Sequence, residues 1–328
     1  MRHRENRKPG PRPWRFISLL VATLAVEGVD AKPKAQGVEI VTLGTAAGPM
    51  ANTERAQPAT MLRWSARMIL IDAGDGVTEQ MARAGIDATM LKSVVLTHIH
   101  ADHVGGLFAL LSRRYQLMDS AVTIFGPPGT KRMVDGLVAA MEPLRLTSPA
   151  IPGQPARNPA NDVKVVEFGD GAELTIEGVT VRAAANTHYL SGSQAPDPAK
   201  AQSLALRIEL PGRSIVLTGD TGPSARVIEL ARGADVLVSS ILDLDAAVAT
   251  IRASRPGKPA AFYDAAQAHF AQHHLSPEAA GRLAQAAGVR QIIFTHIGIT
   301  PTRMEAAKSE LGRSWKGPVV FARDLGRY

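Results

Sequence analysis

The 328-residue chain contains no cysteine. That absence removes disulfides, iron–sulfur clusters, thiolate nucleophiles and every zinc site built on sulfur. Any metal site must therefore be assembled from His, Asp and Glu. Bilayer-length apolar runs are lacking too. The run FISLLVATLAV at 16–26 falls short of the ~20 residues a spanning helix needs. Charge of one sign is scarce once its position is considered. Much of the formal +7 lies in residues 1–15, where Arg2, Arg4, Arg7, Lys8, Arg12 and Arg15 face only Glu5. The excess from Lys32 onward is mild for so long a chain and does not argue for a nucleic-acid partner. No solenoid-type repeat is visible.

What remains is ordinary globular composition, with 45% hydrophobic and 20% charged residues, enough to bury a sizeable core. The basic N-terminal stretch, the apolar run and the small residues around Val29-Asp30-Ala31 follow the pattern of a secretory signal, without a twin arginine. Residues 1–31 are thus expected to be a signal peptide and 32–328 a single domain. The expected location is periplasmic or secreted, with no stable membrane anchor. A basic tail without a targeting role is the plainer alternative.

Short β-branched runs alternate with helical spacing along the rest. Val38–Leu43, Met61–Asp72 (a hairpin turning near Ser65), Val94–Thr97, Val122–Phe125, Val163–Phe168, Glu173–Glu177, Val179–Ala184, Leu204–Leu210, Ser214–Thr218, Val236–Ser239, Gln291–Thr295 and Val319–Phe321 read as strands. Gly76–Ala84, Gly105–Leu117, Thr130–Met141, Ala225–Arg232 and Pro277–Ala287 read as helices. The last has Ser276 as N-cap, Pro277 at its first position and Gly288 as its stop. This alternation predicts a layered α/β fold. Glu142–Asp162, with prolines at 143, 149, 152, 155 and 159, reads as a long irregular loop. Leu190–Gln202 and Ile251–Ala261 also read as loops. Arg252, Arg255 and Lys258 in the last could meet an anionic group, although a solvated surface is the plainer reading.

Histidine carries the functional signal. THIHADHVGG at 97–106 packs His98, His100, Asp102 and His103 into six residues directly after a buried strand. One ion rarely takes four ligands from so short a loop, whereas two adjacent ions can share them. Gly105 and Gly106 let the following helix pack closely. The segments VVLTH (94–98), AANTH (184–188), IVLTGD (215–220) and IIFTH (292–296) echo one another, each running a strand into a potential ligand. Strand C-termini are where α/β proteins commonly bind ligands.

The cluster resembles the His-x-His-x-Asp-His hallmark of the metallo-β-lactamase fold superfamily. LIDAGDG (70–76), NTHY around His188, LTGDTG around Asp220 and FTHIG around His296 follow in the family's order, over roughly residues 38–323. The resemblance implies a four-layer αββα sandwich of two mixed sheets with helices outside. It implies His98, His100 and His188 on one metal, Asp102, His103 and His296 on the other, and Asp220 as the bridge. It also implies two zinc ions, with manganese or iron as substitutes. Two ions ~3.5–4 Å apart can share a hydroxide and clamp a substrate oxygen. Asp102 counts as both ligand and catalytic carboxylate. Asp72 either orients a ligand histidine or merely closes a turn.

HHLSPEAAG (273–281) is similar to a motif of the ribonuclease Z, arylsulfatase and cyclic-nucleotide phosphodiesterase branch. There an extra histidine, here His274, faces the metals and assists at the transferred group. His269 and His273 read as ordinary histidines. Two +2 ions, two aspartates and a hydroxide leave the centre slightly positive, which suits a singly charged phosphodiester or aryl sulfate. Bacterial ribonuclease Z enzymes usually carry a long transfer-RNA arm between the residues matching His188 and Asp220. Only residues 189–219 lie there, and GTAAGP (44–49) and RAQPATML (55–62) look instead like sulfatase-like members. A small anionic ester is therefore the expected substrate, with no nucleic acid and a homodimer allowed. The alternatives are lactone, carboxylic ester or lactam hydrolysis on the same centre, with Tyr189 assisting a lactone, or a non-catalytic metal-binding protein.

Overall fold

The computed structural model describes residues 37–50, 53–117, 120–147, 157–189 and 195–328. The signal-peptide reading at 1–31 lies outside them. Among the described residues no helix is long and apolar enough to cross a membrane.

Two seven-stranded mixed sheets face each other. The first comprises β1 (Val38–Gly44), β2 (Ala59–Trp64), β3 (Arg67–Ile71), β4 (Ser93–Val95), β5 (Val122–Gly126), β6 (Val163–Glu167) and β14 (Gly326–Arg327), in the order β14-β1-β2-β3-β4-β5-β6. The second comprises β7 (Glu173–Ile176), β8 (Val179–Ala185), β9 (Leu204–Leu210), β10 (Arg213–Leu217), β11 (Val236–Leu242), β12 (Ile292–Gly298) and β13 (Val319–Phe321), in the order β13-β12-β11-β10-β9-β8-β7. Each sheet changes from antiparallel to parallel pairing part-way, at β3–β4 in the first and β10–β11 in the second. Of the four echoing strands that run into candidate ligands, β4 lies in the first sheet and β8, β10 and β12 lie in the second.

Ile40, Leu62, Ile69 and Val95 of the first sheet pack against Ile208, Ile215, Val236 and Ile293 of the second to form the inner core. The outer faces carry helices. α1 (Val77–Arg83), α3 (Leu107–Leu117) and α4 (Thr130–Ala140) cover the first sheet. α6 (Ala225–Leu230), α9 (Pro277–Ala287) and α10 (Met304–Leu311) cover the second. The result is the four-layer αββα sandwich. β4 is buried on both faces, which is why it reads as a continuous β-branched run. α9 is capped as its sequence predicts: Ser276 accepts the Ala279 N–H, and Gly288 stops the helix at φ 63°.

Some boundaries differ from the sequence reading. The helix expected over Gly105–Leu117 is α3, which starts two residues later, and a short unanticipated helix, α2 (Ala101–Val104), precedes it within the histidine cluster. Glu142–Asp162 is not wholly irregular: α5 (Glu142–Thr147) continues from α4, and Pro159–Asp162 forms a 3₁₀ turn capped by Asn158. Pro143 and Pro159 sit in first turns, where a missing N–H is tolerated. The Ile251–Ala261 loop shrinks to five residues between α7 (Leu244–Ser254) and α8 (Ala260–His273). This hairpin buries only Val248, Tyr263 and His273, so its sequence shows little helical periodicity. β14 was not anticipated either; two residues carry no pattern.

Candidate metal centre

The loop after β4 is fixed by one buried carboxylate. Asp72, at φ 58°, sits at the end of β3. Its Oδ1 accepts the Thr97 N–H at 2.8 Å, and its Oδ2 accepts His103 Nδ1–H at 2.8 Å. The Thr97 hydroxyl donates to the same carboxylate at 2.9 Å, so its oxygen is left to accept from His98 Nδ1 at 3.0 Å. One aspartate thus orients two histidines and leaves each Nε2 lone pair facing inward. Of the two roles the sequence left open for Asp72, the structure shows the orienting one. The strained φ persists because three buried donors, two from Thr97 and one from His103, hold the carboxylate.

The seven residues proposed as ligands converge. His98, His100 and His188 present ring nitrogens within 4.8 Å of one another, and Asp102, His103 and His296 form a second such group. Asp220 lies between the groups. Its Oδ2 is 3.1 Å from His296 Nε2 and 3.8 Å from His188 Nε2, while its Oδ1 is 3.7 Å from His103 Nε2. Asp102 Oδ2 is 3.2 Å from His296 and 3.6 Å from His103. Gly219 (φ 57°) aims Asp220 inward; an added Cβ there would meet the Leu204 carbonyl at 2.8 Å. His296 itself has φ 46°, unusual for a non-glycine residue.

Three atoms in this cluster, His98 Nε2, His103 Nε2 and Asp220 Oδ1, are buried without a hydrogen-bond partner. Each such atom costs ~1–3 kcal/mol, and cations between the two groups would satisfy all three. The donor set of imidazoles and carboxylates suits zinc and its neighbours. The residues therefore fit divalent metal.

Ionisation follows burial and mutual charge. Burial, reinforced by neighbouring imidazoles, holds His98 well below the usual histidine range and lowers His100. His188 falls to about 3, chiefly through burial. For Asp220 burial acts upward, but His296, His103 and His188 together carry it well below the carboxylate range. His103 moves the other way: burial opposes its charge, yet Asp72 and Asp220 hold it well above 6.5.

These shifts predict acid sensitivity in metal-free protein. Below pH 6.5 the unfolded chain binds protons that folded His188 and His274 refuse, so their contribution is complete above 6.5 and lost as pH falls towards about 3–4. His98 and His100 act in the same sense. His103 has the opposite sign, losing its contribution as pH rises through its raised folded value. With His269 also lowered by burial, five groups stand against one, and the melting temperature of chelated protein should fall steadily from pH 7 to 5. A flat profile would contradict these assignments.

His274 caps α8. Its ring lies 5.0 Å from that of His188, and it groups with His188 and Asp220. Burial lowers it to about 4, so it is neutral at pH 7. His273 is buried rather than exposed. Its carbonyl accepts His188 Nδ1–H at 3.2 Å and its own Nδ1 donates to the Thr187 carbonyl at 2.6 Å. It therefore positions His188, a role that sequence reasoning missed; its place beside His274 was the only signal. His269 is exposed at the cleft edge. The Tyr189 hydroxyl accepts the Ile99 N–H at 3.2 Å, leaving its own proton free towards the cleft. The cleft, about 1110 Å³, opens over His100, Asp102, His188, Asp220, His274 and His296. Much of its remaining wall is apolar, including Met50, Ile99, Leu242, Ile251 and Phe270.

Residues 67–297 match the family model described as Beta-lactamase superfamily domain. The chain belongs to the metallo-β-lactamase superfamily. It is 32% identical over 299 residues to Ribonuclease Z of Mycolicibacterium paratuberculosis, an alignment covering 88% of this chain and 97% of that relative. Among solved structures, the metallo-β-lactamase fold protein YhfI of Bacillus subtilis superposes with a TM-score of 0.63 at 18% identity, covering 89% of this chain and 99% of that one. Human tRNase Z, short form, does so at 0.60 and 19%, covering 88% and 98%. These structural likenesses show the fold; the sequence relative places the chain in the ribonuclease Z branch. As a superfamily hydrolase it is expected to use divalent metal, typically zinc.

This comparison overturns the expectation of a substrate other than nucleic acid. A missing arm does not separate the chain from enzymes named Ribonuclease Z, because the alignment spans nearly all of the relative and leaves little room for an arm found in only one of them. Net charge misled for a second reason: it averages over the molecule and does not show where cations stand.

Proposed function

We propose that the chain is a zinc-dependent phosphodiesterase acting on RNA through a two-metal centre. The observation that carries this reading is the pair of ligand groups joined by Asp220, on a chain aligned over nearly the full length of a ribonuclease Z. His98, His100 and His188 would hold one ion; Asp102, His103 and His296 the other; Asp220 both. Bound there, the ions supply Lewis acidity and lower the pKa of water. Asp72 and the His273 carbonyl keep the imidazoles in the tautomer that leaves Nε2 free. Asp102, facing the cleft, is the carboxylate placed to take a proton shed by the attacking water. Neutral His274 donates an N–H hydrogen bond to the phosphoryl or leaving oxygen. Its low pKa excludes a standing imidazolium at pH 7.

The test is a parallel assay of zinc-loaded protein on an RNA with a single-stranded 3′ extension, bis(p-nitrophenyl) phosphate, p-nitrophenyl sulfate and a lactone. RNA and the diester should be cleaved. Turnover of only the sulfate or the lactone refutes the reading. His274→Ala should lower kcat on RNA by ~10²–10³-fold, as for loss of one transition-state donor, with metal content unchanged. Wild-type rates in that variant would remove His274 from the chemistry.

A further inference from the structure

The interval between His188 and Asp220 holds no long arm, but another segment has the properties of one. α7 and α8 form a helical hairpin in which residues 252–261 are all exposed. Its inner face belongs to the cleft. Ala246, Ala247, Thr250 and Ile251 fall on one side of α7, and His269 and Phe270 lie on the facing helix. Its base is His274, beside the ligand groups. Fourteen residues of α8 at 1.5 Å each put the tip about 21 Å from that base.

The tip, IRASRPGKP at 251–259, holds three cations and no acid. Among the described residues, Arg252, Arg255 and Lys258 form no salt bridge. Arg252 instead lies 4.0 Å from the Tyr263 ring centroid, and Lys258 lies 5.8 Å from that of Phe262. The Tyr263 hydroxyl donates to the Arg255 carbonyl at 2.8 Å, which fastens the turn to α8. The other arginine cluster, Arg182, Arg207 and Arg226, is different: Glu173, Glu209 and Asp170 already neutralise it. Unpaired charge therefore stands at the tip, while the apolar and aromatic wall stands below it.

We propose that the α7–α8 hairpin is the RNA-binding arm of this enzyme. It would hold a single-stranded segment beside the scissile bond, with phosphates at Arg252, Arg255 and Lys258 and an unstacked base against Phe270. Single strands are bound by this combination of cations tracking the backbone and aromatic faces meeting the bases. Duplex RNA buries its base faces and would gain only the charge. The proposal rests on the RNA reading above.

The experiment compares wild type with the triple variant Arg252→Glu, Arg255→Glu, Lys258→Glu in the full chain. The two substrates are the RNA with a single-stranded 3′ extension and bis(p-nitrophenyl) phosphate, each assayed from 50 to 200 mM salt. The ratio of kcat/KM on RNA to that on the small diester should fall at least ~10-fold at 50 mM. The salt slope on RNA should shrink by about 2 log units per log unit of salt, at ~0.7 for each of three lost phosphate contacts. Phe270→Leu, which keeps apolar bulk but removes the ring, should raise KM on RNA several-fold. An unchanged ratio and slope in the triple variant, with wild type cleaving RNA, would overturn the arm alone. Wild type that turns over the diester but no RNA would overturn the RNA reading, and the arm with it.

Discussion

Asp220→Ala should abolish RNA and diester turnover, lowering kcat/KM by at least ~10³-fold, and chelation of the wild type should match it. Asp220 is the carboxylate facing both ligand groups, within 3.1–3.8 Å of His296, His103 and His188. Removing it takes away the negative charge among those imidazoles and the proposed shared ligand. Outer partners of metal ligands are worth ~10–100-fold in affinity or activity, and a bridging ligand should exceed that range. Elemental analysis should show the variant holding about one metal ion or fewer per chain, against about two in wild type. Added zinc should restore the chelated wild type and leave the variant inactive. A variant with full metal content and normal turnover would refute the bridge.

Gly106→Ala should damage the fold as severely as Asp220→Ala damages catalysis. A Cβ at Gly106 would lie far inside van der Waals contact with the Gly74 carbonyl and 2.8 Å from Val77 Cγ1. Retreat is blocked on both sides. The Gly106 N–H donates to the Ala73 carbonyl at 2.9 Å, and the Ala73 and Gly74 N–H groups donate to His103 and Pro58. Overpacking of this kind costs ~1–3 kcal/mol, occasionally more. For a domain of this size that corresponds to a fall in Tm of roughly 2–4 °C per kcal/mol, or ~6–12 °C for ~3 kcal/mol. Thermal melts of Gly106→Ala and Gly136→Ala should separate the steric effect from the substitution itself. Gly136 lies exposed within α4, where an added Cβ meets nothing within 4 Å, so its melt should match wild type or rise slightly. Equal melts for Gly106→Ala and wild type would show that the Gly74 carbonyl can move.

The parts of this site that lie close together in sequence were legible there. His98, His100, Asp102 and His103 stand out because a buried β-branched strand delivers them within six residues. Asp220 and His296 stand out because each ends a similar strand. The Ser276–Gly288 helix could be read because its cap, proline and terminal glycine act locally. What the sequence hid depends on backbone and distance. Asp72, 31 positions from His103, was legible only as one of two alternatives, and His273 acts on His188 through a carbonyl, a group every residue has. The α7–α8 hairpin was hidden because it buries too little to impose a 3.6-residue pattern, so its length passed for a loop. The resemblance places an arm between His188 and Asp220, whereas the candidate segment of this chain lies beyond Asp220.

The ligand groups also divide unevenly between the sheets. His98, His100, Asp102 and His103 follow β4 of the first sheet, whereas His188, Asp220 and His296 come from strands of the second. Each proposed metal position therefore draws on both, and neither half of the sandwich holds a complete set. An ion seated there would act as a rivet across the seam. Loosening the seam would cost activity before either sheet lost its own hydrogen-bond ladder, so inactivation by heat or denaturant should run ahead of the loss of strand structure.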